Sequence, residues 1–252
     1  MSLLDVTPVG PLPLRTRQLL DAYRRWSAAD PIAAAAPEAA TRWVYPRFAA
    51  VGIDIAVPLA LNPMGDWDPA EEYWGEPGEP VHPMCQEVIA AGVRPCFEME
   101  QVLPGVAADD WDSDPIVDAA QLHRAGRHRQ AVGVLEGLLA DDVRCIDAWG
   151  HLGLVAFDTR GPGAATEFYA TGVAVAERSF PDGFAGVLPW GMIDNRPFLR
   201  CLHGLALCAW RQRRWDDAEA MLTARLWLDP DGAFTSLACL EPVRARRRWA
   251  PA

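Results

Sequence analysis

The chain contains no lysine, and all 23 of its basic residues are arginine. It also lacks a long uninterrupted apolar run. The longest candidate, Phe48 to Leu61, carries Asp54 and Pro58 and falls short of the roughly 18 apolar residues that a membrane span requires. A secretion signal is not expected either, since MSLLDVTPVGPLPL places an acid where a basic start is needed and prolines in its apolar stretch. No two of the six cysteines form a CxxC pair, so they read as reduced thiols filling helix faces, in a protein expected to be cytoplasmic. GxSxG, HExxH, P-loop and GxGxxG patterns are missing, which leaves no catalytic residue and no cofactor to name.

Positive charge is nearly absent from one region. Between Asp66 and Asp118 fourteen acids face the single base Arg94, so this stretch carries −13 and the remainder +2, for a net charge of −11. Affinity for nucleic acid depends on neutralising phosphates with basic side chains, so no nucleic-acid partner is expected. The tail Arg244, Arg246, Arg247 and Arg248 is the one basic cluster, and it reads as solvated.

What is present divides the chain into three parts: residues 1–111, 112–240 and 241–252. In the first, Leu14 to Ala29 places Leu19, Tyr23 and Trp26 on one helical face, and a second helix is expected from Pro37. Val51 to Leu61 has an apolar residue at every odd position, a strand pattern that Pro58 confines to an edge. Asn62 to Pro83 reads as a long surface loop, with a short helix from Pro83 to Ala91 closed by Gly92. His82, Cys85 and Cys96 form H-x2-C-x10-C, for which His123 is a conceivable fourth ligand. With only one close pair, no metal site is expected.

From residue 112 helical periodicity dominates, beginning with Asp114-Pro115 as N-cap and first-turn proline. The chain aligns on itself with a 34-residue period. With Asp112 as position 1, Leu122, Gly126, Ala131, Leu135 and Leu138 occupy positions 11, 15, 20, 24 and 27. A second copy from Ile146 places Trp149, Leu152, Gly153, Ala165 and Tyr169 at 4, 7, 8, 20 and 24. A third from Leu199 places Leu202, Leu205, Ala206, Ala218, Leu222 and Pro230 at 4, 7, 8, 20, 24 and 32. Small residues at 8 and 20 let paired helices approach, and large ones fill the space between pairs.

These residues resemble the tetratricopeptide repeat family, whose pattern is W-x2-L-G-x2-Y followed by A, F and P. The resemblance covers roughly Asp112 to Leu240. It departs in the first copy, with Pro115 at position 4 and Val143 at 32, and in 19 extra residues before the third copy. Gly186 to Ala220 also resembles a block in a largely uncharacterised group of bacterial tetratricopeptide proteins. Their closing Asn-Pro-x-Asp-Asn is matched in part by Leu228-Asp229-Pro230-Asp231-Gly232. The resemblance implies a mainly α helical-hairpin solenoid of about three repeats, preceded by a mixed, partly irregular region. It implies a scaffold or adaptor that binds a protein or peptide, and no reaction.

In this family, positions 2, 5, 9 and 12 of each copy face a concave surface. They correspond to Ile116, Ala120 and His123; to Asp147, Gly150, Leu154 and Phe157; and to Arg200, His203, Leu207 and Trp210. The third set combines a carboxylate binder, an imidazole and an aromatic face. Equally, Leu207 and Trp210 can bury against the chain's own ends. The insertion Phe180 to Pro197 is too apolar for a free loop, so Phe184, Leu188, Trp190 and Ile193 are expected to tuck onto the groove or the repeat edge. Asp194 and Asn195 then serve as a helix start, and Arg196 faces a partner. Two alternatives remain open: an enzyme with its active site in the first hundred residues, and an acidic decoy or inhibitor of a nucleic-acid-binding protein.

Overall fold

A computed structural model describes residues 44–76, 78–106 and 114–249. The helices expected at Leu14 to Ala29 and from Pro37 lie outside the described residues. The architecture is mainly helical. A two-stranded antiparallel hairpin, β1 (Leu61–Trp67) and β2 (Arg94–Met99), encloses helix α1 (Pro83–Ala90). Seven helices follow: α2 (Pro115–Arg124), α3 (His128–Asp141), α4 (Ile146–Arg160), α5 (Pro162–Glu177), α6 (Arg196–Arg211), α7 (Trp215–Leu228) and α8 (Ala233–Arg244). No helix among the described residues is long and apolar enough to cross a membrane.

Helix α2 begins where Asp114 accepts hydrogen bonds at Oδ1 from the amides of Ile116 and Val117, at 2.8 and 3.2 Å. This satisfies two of the donors that an N-terminus leaves orphaned. Gly126, at φ +74°, makes the left-handed turn into α3. Helices α2 and α3, α4 and α5, and α6 and α7 pack in pairs, with α5 and α4 both against α6. Ala131, Ala165 and Ala218, the small residue of each copy, are all fully buried.

The two strands differ from expectation. Residues 51–60 form no strand, and β1 runs instead through residues expected to be loop. The alternation at 51–61 is nevertheless physical. Every even position there is exposed, and Ile55 and Leu59 are buried among odd neighbours of which Val57 alone is fully out, at 63%. A period of two belongs to any extended chain lying on a surface, whether or not it enters a ladder. Within β1 the polar and turn-forming residues Asn62, Pro63, Gly65 and Asp66 are exposed, and the pairing is irregular between Pro63 and Asp66.

Contacts distant in sequence hold the hairpin to the helices. Arg94 is buried between the rings of Trp67 and Trp227, 4.9 and 5.2 Å from their centroids, and donates to the Trp227 carbonyl at 2.8 Å. That carbonyl lies at the C-terminal end of α7, where the helix dipole favours a cation. Asn195, fully buried, accepts from the Met99 amide at 2.8 Å and donates to the Phe97 and Pro189 carbonyls at 3.0 and 3.2 Å. Phe97 N donates to Val187 O and Val187 N to Pro95 O, at 3.0 and 2.9 Å, so the insertion runs beside β2 as a single bridge. Phe184 and Leu188 are buried as expected of the insertion, whereas Ile193 is 62% exposed.

Glu177, at the end of α5, clamps the segment at residues 45–49. Its carboxylate accepts from the Phe48 amide at 2.5 Å, the Ala49 amide at 3.2 Å and the Tyr45 hydroxyl at 3.2 Å. Burial pushes its pKa up from 4.5 to about 7, although these donors and Arg47 pull the other way. Because the folded value lies above the unfolded one, the group's contribution to stability is full below pH 4.5 and is lost as pH rises through 7. Comparing the wild type with Glu177→Gln cancels the other titrating groups. The stability difference should move in favour of the wild type by up to about 3 kcal/mol between about pH 8 and pH 5, read by urea unfolding. A pH-independent difference would mean that Glu177 keeps an ordinary pKa.

Candidate functional site

A cavity of about 460 Å³ opens between α4, α6 and the start of α8. Its floor is made of small residues. Gly150 and Gly204 line it together with the Tyr169 ring, and a Cβ on Gly204 would stand 2.4 Å from that ring. Leu154, Leu199 and Leu207 form an apolar wall, and Trp190 closes one side from the insertion. The polar lining comprises His151, Arg200, His203, Arg225 and Thr235. Two arginines and two histidines face it, and no carboxylate does so among the described residues.

Each polar group has a fixed environment. Arg200 donates from one terminal nitrogen to Asp147 Oδ1 at 2.6 Å, and its side chain remains 40% exposed. Asp147 is buried at the start of α4. Burial raises its carboxyl pKa, while Arg200 and His151 oppose that shift. His151 lies 3.7 Å from Asp147 and 3.4 Å from Arg200, and burial lowers its pKa. Burial, with Arg225 adding, pushes His203 down to about 4, so it is neutral at about pH 7. Its Nδ1 is buried without a hydrogen-bond partner among the described residues. Arg225, buried, donates to Ser236 Oγ at 2.9 Å and pairs with Asp229 at 3.2 Å. Asp229 in turn accepts from the Trp190 amide at 2.8 Å, which fixes the insertion at the cavity's edge.

The expected groove residues divide into two groups. Gly150, Leu154, Arg200, His203 and Leu207 all line this one cavity. Asp147 sits beneath it as the support of Arg200 and is not open to a partner. Arg196 is turned to the insertion, with Nε donating to the Trp190 carbonyl at 3.0 Å and the guanidinium 5.4 Å from the Trp190 ring. The first copy contributes nothing. Ile116 is buried, and His123 is tied to His128 and Asp158.

Trp210 does not face a partner and takes the other course open to it, burial against the chain's own C-terminal end. It is 8% exposed, its Nε1 donates to the Arg247 carbonyl at 2.8 Å, and Trp249 packs edge-on at 4.8 Å. Arg211 lies over both Trp249 and Phe157, at 5.5 and 5.4 Å, so Phe157 belongs to the same covered end. The tail turns back at Arg246, whose φ is +50°. Arg244 and Arg246 pair with Glu219 and Asp216 at 2.8 and 3.3 Å. The four arginines of the basic tail are exposed, as expected, while the Arg247 carbonyl and the Trp249 ring pack against α6.

Cys85 and Cys96 are buried free thiols, and His82 caps α1 by accepting from the Met84 amide at 3.3 Å. The H-x2-C-x10-C spacing thus gathers no cluster. No group of three or more potential metal ligands occurs among the described residues.

Comparison with family models, with curated proteins and with solved structures finds no match to this chain.

The packed tail has a measurable consequence. Trp249→Ala should lower the unfolding free energy by about 1 kcal/mol, the scale of a buried aromatic pair, as measured by urea titration. An unchanged midpoint would mean that the tail contributes nothing at Trp210.

Proposed function

We propose that the paired helices form a tetratricopeptide-type solenoid that serves as a scaffold or adaptor, holding a protein or peptide segment on its concave face. The observation that carries this reading is the convergence of Gly150, Leu154, Arg200, His203 and Leu207, from equivalent positions of two copies, on one cavity. The burial of Ala131, Ala165 and Ala218 at equivalent positions of the three copies supports the same arrangement. Specificity follows from the lining: leucines and a tryptophan for an apolar side chain, and an arginine held by Asp147 for an anionic or carbonyl oxygen. Six free cysteines suit a reducing compartment, and we place the protein in the cytoplasm on that ground.

Peptides selected from a random display library on the wild-type chain test the reading. Arg200→Ala, and Leu154→Glu at a site already 40% exposed, should each weaken the selected peptides about tenfold or more, the loss of one anchor residue. Each variant's circular dichroism should stay close to wild type. Arg200→Ala, which leaves the buried Asp147 without its arginine, should melt lower, so binding is compared at a temperature where all three proteins are folded. Selected peptides that bind both variants with wild-type affinity would place partner binding elsewhere.

A further inference from the structure

The cavity between α4, α6 and α8 has more hydrogen-bonding capacity than the chain itself uses. Both polar contacts of Arg200, to Asp147 and to His151, are made by Nη1. Its Nη2 and Nε make none among the described residues, and their N–H bonds form the side-on fork that receives the two oxygens of one carboxylate. His203 stands in the same lining, and its Nδ1 is buried with no partner among the described residues, an uncommon state for a buried polar atom. Thr235, exposed at the start of α8, adds a hydroxyl.

Charge decides which anion suits the lining. Arg200 is matched by buried Asp147, and Arg225 by buried Asp229. Burial lowers the pKa of His151 and takes His203 down to about 4, so both imidazoles are neutral at about pH 7. The lining therefore carries no surplus positive charge. A second negative charge on an occupant would be removed from water without compensation, which favours one carboxylate over a phosphate dianion. Shape decides the rest. Leu154, Leu199, Leu207, Tyr169 and Trp190 surround the fork with apolar and aromatic surface. The volume of about 460 Å³ lies in the lower half of the range of small-molecule sites, about 300–1,000 Å³. Trp190 bounds it on one side and Gly232 and Thr235 on another, so the space suits a compact body rather than an extended chain running through.

We propose that the cavity binds a free organic acid with one carboxylate and a compact apolar body, an aryl or medium-chain alkyl monocarboxylate. The carboxylate sits on the Nε–Nη2 fork of Arg200 while Asp147 holds Nη1 in place. The body lies among Leu154, Leu199 and Leu207, with the Tyr169 and Trp190 rings beside it. The inference rests on the scaffold reading for the cavity alone. It adds a small-molecule effector that enters where a partner's anchor residue would, so acid and peptide exclude each other.

Calorimetric titration of the full chain with octanoate, hydrocinnamate and indolepropionate tests the inference. Each acid's primary amide serves as its neutral counterpart, and phenylethylphosphonate as one of higher charge. At least one acid should bind one per chain with Kd below about 1 mM. Its amide should bind at least about tenfold more weakly, and the phosphonate more weakly than hydrocinnamate. Arg200→Gln should weaken the acid about tenfold or more and leave the amide within about twofold, a split that general loss of structure would not produce. Should that variant fail to fold, Leu154→Glu at its exposed position should weaken the acid more than the amide. The inference is overturned by no saturable binding of any acid up to about 10 mM, by equal affinity for acid and amide, by tighter binding of the phosphonate, or by undiminished acid affinity in the variants. Selected peptides that bind while no acid does would remove this inference and leave the scaffold reading standing. Acids that bind where no peptide can be selected would do the reverse.

Discussion

The close approach of α4, α5 and α6 around one aromatic ring is the constraint on which the rest of the structure depends. Tyr169, on α5, lies between Gly153 of α4 and Gly204 of α6. A Cβ on Gly153 would meet the ring at 2.6 Å, and one on Gly204 at 2.4 Å. Gly172 adds a second close contact, where a Cβ would fall 2.6 Å from Cys201 Sγ. Real side chains do not approach so closely, so glycine at these positions sets the distance between the second helix pair and the third. Packed interiors are near crystal density and do not yield to an added methyl group without movement.

That spacing produces the cavity. With glycine at 150 and 204 the helices of two copies leave an opening floored by the Tyr169 ring, and the side chains one turn away become its walls. The insertion and α8 then close its sides, tied by the Asp229 carboxylate to the Trp190 and Gly232 amides at 2.8 and 3.3 Å. The hairpin is fastened in turn to the insertion and to the end of α7, through Asn195 and Arg94. Each outer layer therefore depends on the position of the helices within.

The helical half is legible in the sequence because its signal is local and repeated. Ala131, Ala165 and Ala218 recur where paired helices touch, and such contacts tolerate few residue types. The hairpin is illegible for the opposite reason. Asn62 to Asp66 are exposed in β1, so no face needs apolar residues, and the strand is held by Arg94 reaching Trp227, 133 residues away. Of the cavity, the residues on α4 and α6 can be named from repeat positions. Trp190 is expected at the groove or the repeat edge from the apolar character of the insertion, whereas Arg225 and Thr235 cannot be named, because they come from elements to which no repeat rule assigns a cavity-facing position. Burial of Trp210 against the chain's own ends is open in the sequence, but which residues cover it is not legible, because it is the Arg247 carbonyl and the Trp249 ring, rather than the arginine charges, that cover the indole.

Stability of Gly204→Ala tests the central constraint most directly, because two effects predict opposite signs. Helix propensity alone favours alanine over glycine in a helix interior by about 0.8–1 kcal/mol. If the Tyr169 ring sets the spacing of the helices, the added methyl group overpacks the contact, and urea unfolding should show a net loss of about 1–3 kcal/mol. A variant as stable as the wild type, or more stable, would contradict the account.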